Sequence, residues 1–218
     1  MITLIKGNKN INYATNGMNL KMASRIGRLN PSKTLLLLCD LQEKFAPNIH
    51  YFNQVVENSG RVLDIAKLLN IPYLVTEQYP KGLGHTVPFL KQKCDNVKIF
   101  EKTSFSMCTK DLIDHIHQNT PDYDSVLLCG IEAHACILST CMDFLEYGKN
   151  VHVIVDTVSS RSMVDRKYAI ERMKQSGAFL TTAESIVFQF IRNANHPKFK
   201  DIQKIIRNSS HDTGLLKI

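Results

Sequence analysis

From Thr34 onward the chain alternates short runs of β-favouring apolar residues with longer stretches of helical period. The runs are Thr34–Cys39, Tyr73–Thr76, Val97–Phe100, Ser125–Cys129, Val151–Val155 and a short Phe179–Leu180. Continuous apolar runs, as opposed to alternating ones, suit strands covered on both faces, and helices between them supply the cover. The pattern predicts an α/β, doubly wound sheet of about six mostly parallel strands with helices on both faces. Phe52, Val55, Val56, Ser59, Val62, Leu63 and Ala66 recur at helical spacing, predicting a helix from Phe52 to about Leu69 that stops ahead of Pro72. Ile137, Leu138, Cys141 and Leu145 predict another, closed by Gly148. Ser162 to Asp165 and Thr181 to Glu184 have capping-box spacing and predict two later helix starts. The first of these helices should end near Gly177, and a last short helix should run from His196 to about Arg207.

The chain is 218 residues long, 44% hydrophobic and 22% charged, enough for one domain with a substantial core. Neither an internal repeat nor a Gly/Ser linker divides it, so the expected organisation is a flexible extension over 1–30 and a body over 31–218. Residues 1–30 carry Lys6, Lys9, Lys21, Arg25 and Arg28 without any acid. That composition suits a solvated tail; it also suits a mitochondrial presequence, the alternative to the cytoplasmic location expected here. No apolar run has the length of a membrane span, and the basic residues behind the net charge of +7 are dispersed without interleaved aromatics, so neither a membrane nor a nucleic acid is an expected partner. The six cysteines show neither CxxC pairs nor His/Cys ligand spacing, which points to a reducing compartment and away from a disulfide framework or a zinc site.

Chemistry collects where predicted strands end, the place at which open α/β sheets bind ligands. Asp40 follows the first strand, Lys102 the third, and Cys136 comes just after the fourth at the head of a helical pattern. Unpaired N–H groups and partial positive charge in a first helical turn stabilise a thiolate and hold an oxyanion. Asp40, at the edge of a water-poor region, could take and return the thiol proton, and Lys102 could pair with it and stabilise the thiolate. Each also has a plain structural reading: a small core residue for Cys136, a turn cap for Asp40, a solvated side chain for Lys102. The 34 positions between Lys102 and Cys136 hold one helix and one strand, so a right-handed crossover should bring neighbouring strand ends together.

The segments CDLQEKF around Asp40, EKTSFSM around Lys102 and GIEAHACILST around Cys136 resemble the three catalytic segments of the isochorismatase-like cysteine hydrolases. The likeness runs from about Met22 to the C-terminus, through TEQYPKGLG, SSRSMVDR, RMKQSGAFLTTAES, HPKFKDIQKII and TGLL, and is greatest to the animal isochorismatase domain-containing branch of the second paralogue type. The resemblance implies that Cys136 is the nucleophile, Asp40 the general base and then acid, and Lys102 the electrostatic organiser. It implies a small-molecule substrate cleaved at an amide C–N bond through a thioester. It further implies a cis peptide at Ile131–Glu132 that turns the N–H groups of Glu132 and Cys136 toward an oxyanion, with Gln42 and His134 completing the substrate-binding set; His134 reads equally as a plain helix-start residue. A homo-oligomer, a dimer or higher, is implied as well. Nicotinamidases of this superfamily carry an Asp/His metal cluster after the second strand. Here that loop offers only Glu77 and His85, too few ligands for a closed zinc site, so neither metal nor cofactor is expected and His85 reads as a surface or rim residue. Two other readings stand beside the hydrolase: a scaffold that keeps the fold without turnover, and a redox thiol with Cys141 as its partner. The second is weak, because residues five apart on one helix point in different directions. Cys39 and Cys129, inside apolar strands, are expected to be inert.

Overall fold

The computed structural model describes residues 26–94 and 97–216. The strands are β1 (Thr34–Cys39), β2 (Tyr73–Gln78), β3 (Ile99–Lys102), β4 (Ser125–Ile131), β5 (Asn150–Ser159) and β6 (Phe179–Thr181). They form one six-stranded sheet in the order β3-β2-β1-β4-β5-β6, every pairing parallel. The helices are α1 (Phe52–Leu68), α2 (Pro80–Leu83), α3 (Pro88–Lys93), α4 (Lys110–Asn119), α5 (Leu138–Glu146), α6 (Met163–Gln175), α7 (Ala183–Ile191) and α8 (Phe199–Ile206).

β1 shows why the fold is doubly wound. All its residues are buried, and their side chains alternate between two cores. Leu36 and Leu38 pack with residues of α1, α7 and α8, whereas Leu35, Leu37 and Cys39 pack with Met107, Leu112 and Phe144 on the other side. Five strands run beyond their predicted ends: β2 to Gln78, β3 to Lys102, β4 to Ile131, β5 to Ser159 and β6 to Thr181. The polar residues there are paired by neighbouring strands, a tertiary effect that local composition does not carry. β3 begins at Ile99, two residues later than expected. Thr182, not Thr181, caps α7, its hydroxyl accepting from the Ser185 N–H, while Ser162 caps α6 as predicted. The expected extension lies mostly outside the described residues. Leu29 is fully buried and Asn30 caps the short 3₁₀ turn Pro31–Lys33, so the packed body begins before residue 31. Among the described residues no helix is long and apolar enough to cross a membrane.

The strand order reverses direction between β1 and β4, making their C-terminal ends a topological switch point. Gly130 holds that junction. It pairs with Cys39, has φ +120°, and a Cβ there would lie 2.0 Å from the Cys39 carbonyl oxygen. Gly130→Ala should therefore lower stability by about 3 kcal/mol or more in urea unfolding, because it adds both an overlap and a disfavoured φ.

His152 on β5 is 1% exposed, stacks on Phe179 with ring centroids 4.9 Å apart, and leaves Nε2 without a partner. Burial pushes it down from 6.5 to about 4. A depressed histidine favours the folded state above its unfolded value and withdraws that contribution as the pH falls. Wild type should lose up to about 3 kcal/mol between pH 6.5 and 4 through this group. Urea midpoints across that window should fall less for His152→Phe.

Candidate active site

Asp40 is the first residue beyond β1 and adopts φ +52°, a left-handed conformation that β1 and β2 enforce: its N–H donates to the Thr76 carbonyl and its carbonyl accepts from Gln42. The Thr76 hydroxyl donates to Oδ1 at 2.7 Å. Oδ2 receives the Lys102 ammonium at 2.7 Å and the Cys39 thiol at 3.3 Å. Lys102 ends β3, which is an edge strand, so β2 and β1 lie between it and β4. The expectation that a crossover makes those strand ends neighbours is therefore corrected, and the length of the lysine side chain closes the gap. Its Nζ also meets Gln78 Oε1 at 2.6 Å, the carbonyls of Ser104 and Phe105 at 3.2 and 3.1 Å, and Cys136 Sγ at 3.6 Å.

Cys136 stands in a π-helical turn, Ala133–Ile137, that joins β4 to α5. Such a turn inserts a residue into the helical ladder and re-aims the side chains it carries. The Cys136 carbonyl accepts from the Thr140 hydroxyl at 2.6 Å, and that hydroxyl accepts from the Met107 N–H at 2.9 Å, which ties the Cys136 turn to the loop after Lys102. Cys136 is 6% exposed, and that small area opens into a cavity of about 450 Å³. Phe45, Tyr79, Leu83 and Phe105 give the cavity an apolar wall, with Glu132 and Arg161 at one side.

The other expected site residues have specific places. The Ile131–Glu132 peptide is cis. The Ile131 side chain is fully buried in the core, so only its peptide borders the site. The Glu132 carboxylate takes a bidentate bond from Arg161, with Nη2 to Oε1 at 2.6 Å, and accepts the Arg161 N–H at 3.0 Å. Burial would raise the Glu132 carboxyl, but the Arg161 hydrogen bonds outweigh it and hold the group below its usual range. Gln42 was expected to meet substrate. It is fully buried, its amide donating to the carbonyls of Gln78 and Gly84 and accepting the Gln78 N–H, so it braces the β2 loop. His134 turns its Nδ1 to the Ser160 hydroxyl at 3.0 Å and does not line the cavity. His85 is a surface residue, paired at 2.9 Å with the buried Glu77.

Burial would lower Lys102, yet the neighbouring Cys39, Asp40 and Cys136 together raise it above its ordinary value, so the ammonium stays charged. Burial pushes the Cys39 thiol well up, and contact with Cys136 and the Asp40 charge add to that. Donor atoms of Cys39, Asp40 and Cys136 lie within 4.8 Å of one another, close enough to suggest metal ligands. A cation among them would lie against the Lys102 ammonium, which already touches Asp40 and Cys136. The group suits a mobile proton better than a metal.

Sequence reasoning found Asp40, Lys102 and Cys136, and the structure brings them together. It missed Cys39, Thr76, Gln78 and Arg161. A signal existed for two of them: Cys39 directly precedes Asp40, and Thr76 is its register partner on β2. Recognising that pairing requires the strand order. Arg161, which is 29 positions from Glu132, leaves no local trace.

A model of the isochorismatase domain matches residues 34–185. Isochorismatase domain-containing protein 2 of Xenopus laevis is 50% identical over 194 residues, covering 89% of this chain and 93% of its own length. The 2A protein of Mus musculus is 51% identical over 196 residues, 88% of this chain and 92% of its own. A solved structure described as the MAR1 ribonuclease of Caenorhabditis elegans is 52% identical, with a TM-score of 0.82 over 86% of this chain and 96% of that one. YcaC of Escherichia coli, described as an octameric hydrolase of unknown specificity, shares the fold at 20% identity and a TM-score of 0.71. With its six parallel strands, its site at the β1/β4 switch point and a family match spanning most of its length, the chain belongs to the isochorismatase family of hydrolase-fold proteins.

Proposed function

We propose that this protein is a cysteine hydrolase that cleaves a small-molecule amide through a thioester on Cys136. The observation that carries the reading is the Lys102 ammonium, whose side chain is fully buried and which lies 2.7 Å from Asp40 Oδ2 and 3.6 Å from Cys136 Sγ. A charge held there favours thiolate and carboxylate together. Asp40 takes the Cys136 proton, and Sγ attacks the carbonyl carbon. The N–H groups of Glu132 and Cys136 are the expected donors to the oxyanion. The amine departs with the proton from Asp40. Water then gives Asp40 a proton as it attacks the thioester, the acid leaves, and the thiol is restored. Lys102 keeps its proton throughout, in keeping with its raised value. Thr76 fixes Asp40, and Gln42 holds the end of β2, whose Gln78 meets Lys102.

Ribonuclease activity, named for the Caenorhabditis elegans relative, is the second reading. Against it stand the burial of Asp40 and Lys102 and the size of the cavity at Cys136, about 450 Å³, which suits a small ligand and keeps that pair from a polynucleotide. A scaffold without turnover is the third. We further infer a homo-oligomer, in line with the octamer described for YcaC, and a reducing, cytoplasmic setting that keeps Cys39 and Cys136 as thiols.

On a panel of small carboxamides, Cys136→Ala should abolish turnover while circular dichroism stays unchanged. Wild type should show a transient acyl adduct on Cys136 by intact mass, and single-stranded RNA should remain uncut. Full activity in folded Cys136→Ala would overturn the mechanism. Lys102→Met keeps the stem and removes the charge, so kcat/KM should fall about 100-fold or more. A chelator should leave the rate unchanged, and loss of activity together with bound zinc or iron would refute metal-free chemistry.

A further inference from the structure

We propose that Cys39 is a built-in partner thiol for Cys136, so that a hydroperoxide entering the pocket converts the pair reversibly into a disulfide. The pairing comes from topology. Cys39 closes β1 and Cys136 follows β4, the two strands that flank the switch point, and their sulfur atoms lie within 4.8 Å of each other and of Asp40. Only one of them meets the cavity: Cys136 lines it, while Cys39 is fully buried behind. An oxidant small enough to enter therefore reaches Cys136 first. The burial that keeps Cys39 protonated also keeps it from competing as the first target. Cys141, the partner considered from sequence, is fully buried within α5 and is not part of the cluster that Cys39, Asp40 and Cys136 form.

The chemistry balances within the site. The Cys136 thiolate attacks a peroxide oxygen, the O–O bond breaks, and the two-electron oxidation leaves a sulfenic acid and one water or alcohol after protonation. Asp40 Oδ2, 3.3 Å from Cys39 Sγ, then accepts the Cys39 proton. Cys39 sulfur attacks the Cys136 sulfur, the S–O bond breaks, and the hydroxyl leaves as water with the proton from Asp40. Bonding sulfurs stand about 2.05 Å apart, so one side must move. Cys39 is held in β1 by pairing on both flanks, to Thr76 and Gly130, which leaves the π turn Ala133–Ile137 as the element that yields. The disulfide would withdraw the nucleophile and shield it from irreversible sulfinic acid. Only that effect on turnover rests on the hydrolase reading; the cross-link itself does not.

The test is hydrogen peroxide at a few equivalents on the intact protein, followed by thiol blocking, intact mass and non-reducing peptide mapping. Wild type should lose about 2 Da and yield a Cys39–Cys136 cross-linked peptide that dithiothreitol reverses. Cys39→Ser and Cys39→Ala, two variants in case one folds poorly, should instead gain about 32 Da at Cys136, at least about tenfold faster than wild type. Cys141→Ser should behave as wild type. Over-oxidation of Cys136 at equal rates with and without Cys39, a Cys136–Cys141 peptide, or first oxidation at another cysteine would each overturn the proposal. Cross-linking without amide turnover would sink the hydrolase reading and leave this one standing; turnover with no cross-link would do the reverse.

Discussion

The contact on which the site depends is the ion pair between Lys102 and Asp40, both side chains buried to within 1% of completely. Two charges taken out of water carry a desolvation penalty of several kcal/mol each, and mutual attraction rarely covers it without further hydrogen bonds. Here those bonds are present on both partners: Gln78, Ser104 and Phe105 on the ammonium, Thr76 and Cys39 on the carboxylate. Each lies on β1, on β2 or in the loop after β3, so the ends of those elements are fixed relative to one another by the needs of one buried charge pair.

The fold supplies the rest by geometry. Gly130 lets β4 approach β1 closely, which sets the end of β4 beside Cys39 and Asp40. The π turn then carries Cys136 back over that junction, and Thr140 anchors it to Met107 beyond Lys102. Neither Gly130 nor Thr140 lines the cavity. Glu132 and Arg161 close one side with their own charges paired, so the apolar wall of Phe45, Tyr79, Leu83 and Phe105 faces a rim of little net charge.

A second thiol was concealed by its own surroundings. Cys39 follows four leucines, and in sequence it is one more apolar position of a buried strand. In three dimensions it is also the back wall of the Cys136 site. Side chains at the last position of a strand can belong to a core and to a site at once, because the sheet face and the crevice beyond it are continuous there.

The sequence by itself determined the sheet, its helical cover and the residue types at three strand ends. Period and burial are local: the alternation of apolar runs with helical stretches needs no knowledge of strand order, and the motifs around Asp40, Lys102 and Cys136 are contiguous. Strand order, by contrast, is a matter of which buried faces meet, and it was decided by tertiary packing. That is why Lys102 turned out to reach its partners from an edge strand, why Gln42 braces a loop, and why Thr76, Gln78, Arg161 and Cys39 escaped notice. Each of these roles arises from a contact between segments far apart in the chain, and no local pattern encodes a contact whose partner is chosen by the packing of the whole sheet.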